Sequence, residues 1–279
     1  MNEYYVLSNG VKVPKIGFGT WQIPDGQVSI QAVKDAIKAG YRHIDTAAIY
    51  GNEDGVGTGI LECGVLREQL FLTTKVWNSD QGYETTKRAF EASLKKLKTD
   101  YVDLYLIHWP AVNLFQNHTM KNQETWKAME EIYRSGKAKA IGVCNFFPHH
   151  LAPLMEQATI LPMVNQIEIN PGNPADDEIE YARKHGMLVQ AYSPMMKGKI
   201  FDIDLLKRLS LKYDRTIPQI VLRWLIQRGL NPLSKSITPH RMESNLAVFD
   251  FLIEDSDMEK IKELSVLGRV GTHPDKARF

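Results

Sequence analysis

Eight short apolar segments, each followed by a stretch of helical periodicity, predict an α/β fold: a (β/α)8 TIM barrel of parallel strands covered by helices. The alternation runs unbroken from the first unit to the eighth. No composition break, low-complexity segment or linker rich in Pro, Gly or Ser divides the chain, which speaks against the rival arrangement, an open doubly wound sheet. One domain over residues 1–279 is expected, with a short N-terminal β-hairpin before the barrel and an additional C-terminal helix and tail after it.

The hairpin is signalled by Ser8-Asn9-Gly10 between the apolar runs 4–7 and 11–13, because an Asn-Gly pair accepts the positive φ angles of a tight turn. Strand one follows in Lys15-Ile16-Gly17-Phe18-Gly19, and a helical pattern over 28–38 stops at Gly40. The next units pair strand 42–45 with helix 53–62, 70–76 with 84–97, 102–108 with 122–134, 138–143 with 148–158, and 164–169 with 175–185. Strand 188–192 is followed by helices over 205–213 and 218–227, and strand 230–234 by one over 241–249. A final helix over 258–264 and the tail 268–279 lie beyond the barrel.

A net charge of +1 with 24 % charged residues offers no field suited to nucleic acid or an anionic membrane, so a small-molecule partner is favoured. The 43 % hydrophobic content is that of a globular protein, and no uninterrupted apolar stretch is long enough to cross a bilayer. The start, Met1-Asn2-Glu3-Tyr4-Tyr5, lacks the basic flank and apolar core of a signal peptide, and the only cysteines are Cys63 and Cys144. A cytoplasmic monomer without structural disulfides is expected.

Barrel enzymes build their sites at the carboxyl ends of the strands, so the residues that terminate a strand are the informative ones. They are Trp21 beyond strand one, Asp45 on strand two, Lys75 and Trp77 on three, His108 and Trp109 on four, Asn145 on five, Gln166 on six, Tyr192 and Ser193 on seven, and Lys235 and Ser236 on eight. Singly, each has a bland reading. Asp45 alone is a capping or salt-bridged acid, Tyr50 a packed aromatic, and His108 a core residue donating to a carbonyl. Lys75 on an apolar strand needs an anionic partner, for which Asp45 on the neighbouring strand end is placed. Four such groups at one end of adjacent strands point jointly to a catalytic site.

The words Gly40-Tyr41-Arg42-His43-Ile44-Asp45-Thr46-Ala47, with Tyr50 in the loop that follows, and Leu106-Ile107-His108-Trp109-Pro110 resemble the signatures of the aldo-keto reductases. The likeness extends over essentially the whole chain and is to members of the diketo-gluconate reductase and prostaglandin F synthase type. It implies a catalytic tetrad of Asp45, Tyr50, Lys75 and His108. Tyrosine, with an ordinary pKa of about 10, would protonate the carbonyl oxygen as hydride arrives. Lys75 would stabilise the phenolate and lower that pKa, Asp45 would hold Lys75, and His108 would orient the carbonyl.

The hydride donor implied is NADPH. The nicotinamide amide would meet Asn145 and Gln166, with Tyr192, just before Ser193-Pro194, stacked on its ring; Cys144 occupies the usual serine position. Lys235, Ser236 and Arg241 would hold the adenosine 2′-phosphate and Asn245 the adenine. Ser234 and Ser244 stand where the family has a proline and an acidic or amide residue. Trp21, Trp77 and Trp109 suggest an apolar substrate wall, shaped further by the loop 111–121 and the tail. Gly55-Val56-Gly57-Thr58-Gly59-Ile60 carries Ile60 where a phosphate-binding G-x-G-x-x-G needs glycine and reads as helix packing. His149 and His150 read as structural.

The implied activity is NADPH-dependent reduction of aldehydes and ketones, dicarbonyls among them, without a metal. One alternative is a non-catalytic cofactor-binding regulator similar to potassium-channel beta subunits. Another is a metal-dependent hydrolase using His43, Asp45 and His108, for which no paired-histidine strand motif is present.

Overall fold

The computed structural model describes residues 4–279; Met1–Glu3 lie outside the described residues. The chain opens on β1 (Tyr4–Val6) and β2 (Lys12–Pro14), an antiparallel hairpin pairing Tyr4 with Pro14 and Val6 with Lys12. Its turn closes at Gly10, where φ is +87° and a side chain would be strained.

Eight strands then close a parallel barrel: β3 (Gly17–Gly19), β4 (His43–Asp45), β5 (Phe71–Val76), β6 (Leu104–Ile107), β7 (Ile141–Cys144), β8 (Val164–Glu168), β9 (Leu188–Tyr192) and β10 (Asn231–Ser234). Each pairs with the next in chain order, and β10 returns to β3. The period of two along each strand divides the apolar residues between two clusters. Tyr105 and Ile107 pack outward with the helices, while Leu104 and Leu106 join Cys144, Val164 and Met163 in a second cluster. Leu7 and Val13 of the hairpin belong to that second cluster, and Tyr5 Oη donates to Leu230 O at 3.0 Å. The hairpin thereby seals the barrel at the end away from the strand termini.

The outer helices are α1 (Gln27–Ala39), α2 (Glu53–Glu62), α3 (Tyr83–Leu97), α4 (His118–Arg134), α5 (Pro148–Gln157), α6 (Asp176–Lys184), α7 (Asp204–Tyr213), α8 (Ile217–Gln227) and α9 (Pro239–Leu246), with α10 (Asp255–Lys262) after the barrel. α8 begins with a reciprocal capping box between Thr216 and Gln219. The glycine run in α2 is a packing surface: a Cβ on Gly57 would lie 2.6 Å from Leu97 backbone, and one on Gly59 2.8 Å from Val33 Cβ.

Strand one is shorter than its apolar run, and α4 starts four residues before the expected 122. α9 stops at Leu246 rather than 249. α10 begins at Asp255, before the expected 258, because Asp255 and Asp257 favour the positive end of the helix dipole, a signal that apolar spacing does not carry. No helix among the described residues is long and apolar enough to cross a membrane.

Candidate active site

β4 and β5 pair Asp45 with Thr73, so Lys75 stands one pleat further toward the carboxyl end and on the same face. Its Nζ lies 2.7 Å from Asp45 Oδ1 and 2.8 Å from Thr46 O. Lys75 is wholly buried and Asp45 2 % exposed, so each charge depends on the other for its place inside the protein. The second Asp45 oxygen, Oδ2, accepts from Gln166 Nε2 at 2.9 Å across the barrel.

Tyr50 closes a 3-10 turn over Ala48–Tyr50 and is half-buried. The loop that presents it is tied down by the fully buried Asn52, which donates to Thr20 O and Ile23 O at 2.9 Å and accepts from Thr46 Oγ1. Glu53, next in the chain, accepts from Thr74 Oγ1 at 2.6 Å and Ser93 Oγ at 3.2 Å. Neither Asn52 nor Glu53 figured among the residues expected from sequence, since all their partners but Thr46 lie in other units of the barrel.

The Lys75 Nζ is 5.2 Å from the Tyr50 ring centroid, and the His108 ring stands 5.6 Å from that of Tyr50 in an edge-on arrangement. The four tetrad candidates therefore meet at one place. In this state the lowering expected from Lys75 is outweighed. Burial, then the Asp45 charge, push the phenol well above its usual value. The Lys75 ammonium spends its hydrogen bonds on Asp45 and Thr46 rather than on the phenol. Burial and Lys75 press His108 well below the usual histidine range, so its imidazole is neutral near pH 7. Its Nδ1 is buried with no partner among the described residues.

At the strand ends opposite, Asn145 takes a positive φ of 66°, donates from Nδ2 to His108 O at 3.0 Å and accepts the Tyr192 hydroxyl at 2.6 Å. Ser193 is half-buried at φ 52°. Cys144 is buried, and desolvation pushes its thiol far up, which keeps it un-ionised. Beyond β10, Lys235 and Arg241 are exposed with no ion pair among the described residues, while Ser236 and Asn245 are buried beside them. Ser234, at the end of that strand, has its hydroxyl 2.9 Å from the buried Tyr41 Oη. Two unpaired cations at one end and buried amides at the other fit a dinucleotide carrying an extra phosphate.

Trp77 and Trp109 come together, and Trp21 does not join them: it is 45 % exposed and shares no ring contact with another described residue. What lies between the two is Phe279, stacked on Trp77 at 5.6 Å and edge-on to Trp109 at 5.1 Å. The tail reaches this point across the barrel mouth. Buried Glu168 accepts from Val270 N at 2.6 Å and Gly271 N at 2.9 Å and pairs with Arg269. Asn113 donates to Asp275 O and Ala277 O, and Asp275 faces His149 and His150 Nε2 at 2.9 Å each. No periodicity marks these contacts in the sequence.

The hydrolase alternative does not fit. Lys75 occupies Asp45, and His43 is bound instead to Thr73 Oγ1 at 3.0 Å. Among the described residues the donors that converge as metal ligands would are His149, His150 and Asp275, which hold the tail.

The sequence profile described as "Aldo/keto reductase family" matches residues 15–266. The chain is 47 % identical over 273 residues to the glyoxal reductase of Bacillus subtilis, covering 98 % of this chain and 96 % of that one. The crystal structure of MGS-M4, an aldo-keto reductase from a Medee basin deep-sea metagenome library, is 43 % identical with a TM-score of 0.93, covering 99 % of this chain and 100 % of that one. A mutant of Gox0644 in complex with NADPH is 38 % identical with a TM-score of 0.93, covering 100 % of both chains.

Proposed function

Since the chain belongs to the aldo/keto reductase family and is an NADPH-dependent oxidoreductase that reduces carbonyl groups to alcohols, we propose that Tyr50 is its proton donor, with Lys75, Asp45 and His108 preparing the site. The observation that carries this reading is the buried Lys75–Asp45 pair beside the Tyr50 ring.

When bound, NADPH supplies the hydride. The carbonyl oxygen, gaining negative charge, takes the proton of the Tyr50 hydroxyl. A raised pKa keeps that hydroxyl protonated until an oxygen with alkoxide character draws the proton away. The phenolate left behind is stabilised by the Lys75 ammonium, which Asp45 holds in position. Neutral His108 orients the carbonyl by a hydrogen bond. Asn145, Gln166, Tyr192 and Ser193 hold the nicotinamide end of the cofactor, and Lys235, Ser236, Arg241 and Asn245 the adenosine phosphate end.

The substrates are small 2-oxoaldehydes. The glyoxal reductase relative supports this, as does Phe279 standing between Trp77 and Trp109, which leaves a compact apolar wall for a short carbonyl compound. Two free cysteines, one buried, support a cytoplasmic enzyme.

NADPH oxidation against a panel of aldehydes, ketones and dicarbonyls tests the substrate class, with glyoxal and methylglyoxal expected to give the highest kcat/KM. Bulky aromatic ketones turned over faster than either would overturn it. Tyr50→Phe should bind NADPH as the parent does and lose at least about 10²-fold in turnover. Near-parental turnover in that variant would remove Tyr50 from the role.

A further inference from the structure

The row of inward residues at the far side of the barrel contains three amides that the catalytic reading does not use in full. Gln166 on β8 is directly opposite Gln190 on β9, which is directly opposite Asn231 on β10. They form one hydrogen-bonded chain. Gln166 Nε2 donates to Asp45 Oδ2 and to Gln190 Oε1, Gln190 Nε2 donates to Asn231 Oδ1, and Asn231 Nδ2 donates to Pro14 O, each at 2.9 Å. Gln166 and Asp45 are 2 % exposed, and Gln190 and Asn231 are wholly buried, so water does not replace a missing partner.

The chain ends at both sides on groups that only accept. A proline carbonyl fixes Asn231 with its NH2 toward the hairpin, so its oxygen faces Gln190. That makes Gln190 the donor to Asn231 and turns its own oxygen to Gln166. Independently, the ionised Asp45, held by Lys75, demands a donor from Gln166. Both ends impose the same direction. Turning over any one amide sets oxygen against oxygen or NH2 against NH2 inside the protein, so the direction is locked.

We propose that Gln190 and Asn231 are positioning residues that lock the Gln166 amide, so that it offers the cofactor only its oxygen and accepts a hydrogen bond from the carboxamide NH2 of the nicotinamide. The proposal rests on the reading above that places this carboxamide at Asn145 and Gln166. Both N–H groups of Gln166 are engaged by Asp45 and Gln190. Among the described residues its Oε1 accepts only from the Cys144 thiol, at 3.8 Å, a weak partner. The chain therefore selects for a carboxamide over any ring substituent without an NH2, and ties cofactor recognition to the carboxylate that holds Lys75.

The test compares NADP⁺ with its 3-acetylpyridine analogue, in which methyl replaces NH2 and the carbonyl is kept. Dissociation constants are measured by quenching of tryptophan fluorescence, with 2′,5′-ADP as a ligand that reaches only the phosphate end. One neutral hydrogen bond corresponds to roughly three- to ten-fold, so the parent should favour NADP⁺ by about that factor. Gln190→Met frees one N–H of Gln166, so the NH2 can pivot about its remaining bond to Asp45 and offer that hydrogen to the acetyl oxygen. The preference should shrink to within about two-fold, with 2′,5′-ADP binding unchanged. Gln190→Glu, whose carboxyl would be held protonated by burial at this wholly enclosed position and so present an acceptor and a donor in the same places, should restore it. Asn231→Leu breaks the chain one step further on, should lose the preference likewise, and stands in if Gln190→Met does not fold.

A parent with no preference would overturn the placement of the carboxamide at Gln166 itself. A parental preference that survives both Gln190→Met and Asn231→Leu would leave that placement standing and overturn the locking role. Equal weakening of 2′,5′-ADP would also overturn it, reducing both residues to general structural supports.

Discussion

Arg241 and Lys235 stand exposed and free of ion pairs among the described residues, where two cations can face a dianionic phosphate that NADH lacks. A charge-assisted contact of this kind contributes roughly 1.5–3 kcal/mol. Arg241→Ala should therefore weaken NADPH about ten- to a hundred-fold and leave NADH nearly unchanged, measured as dissociation constants at fixed ionic strength. Equal weakening of both cofactors would remove Arg241 from the phosphate. Cys144 is the opposite case: its thiol is buried, un-ionised, and touched by Asn145 Nδ2 at 3.2 Å. Cys144→Ser keeps an acceptor there and adds a better donor. That variant should stay active, and complete loss of activity in a folded Cys144→Ser protein would show that the sulfur is needed.

Among the elements, the tail is the one whose place depends on a few buried contacts rather than on a packed face. Glu168 carries the largest share, with two backbone N–H groups and the Arg269 guanidinium on one carboxylate. Glu168→Gln keeps the shape and removes the charge, at a cost of roughly 1.5–3 kcal/mol to the closed tail. Trypsin cleavage after Arg269 should accelerate about ten- to a hundred-fold if the tail recloses faster than it is cut. An unchanged rate would show that Phe279 and Asn113 hold the tail without Glu168. The helices, by contrast, were read from their spacing to within a few residues, because period and caps are local. α8, with Thr216 and Gln219 in a capping box, begins within one residue of the expected 218.

For the molecule as a whole, pH acts through histidines buried as neutral rings. Burial, then Lys75, press His43 down to about 3, while in the unfolded chain it titrates near its ordinary value of about 6.5. The folded pKa is the lower one, so its contribution is complete above about pH 6.5. It is lost as pH falls, because only the unfolded state takes up the proton. Between pH 7 and pH 5 this amounts to about 2 kcal/mol for His43. The unfolding midpoint in urea should fall over that interval, and His43→Gln, less stable at pH 7, should show a correspondingly shallower fall. An identical pH slope in parent and variant would place the acid sensitivity elsewhere, with His108 next in line.

The barrel is legible locally, because a strand of period two followed by a helix of period 3.6 is written in neighbouring residues and eight such units have few ways to close. The local pattern also placed Asp45, Lys75 and His108 at strand ends, since parallel strands put all carboxyl termini on one rim. The hairpin followed from Asn9-Gly10 in the same local way. What those residues touch is settled when the strands close. Gln166 reaches Asp45 across the barrel from 121 positions away, and the Glu168 contacts to the tail span 101 to 103. Trp21, grouped with Trp77 and Trp109 by its strand-end position, stands apart from them, and Phe279 takes a place between the other two that no motif announced. The direction of the Tyr50 shift was likewise set by closure, through the burial of the ring and the side on which Lys75 spends its hydrogen bonds. Periodicity fixes which face a residue shows; which partner meets that face is fixed when strands far apart in the chain come together.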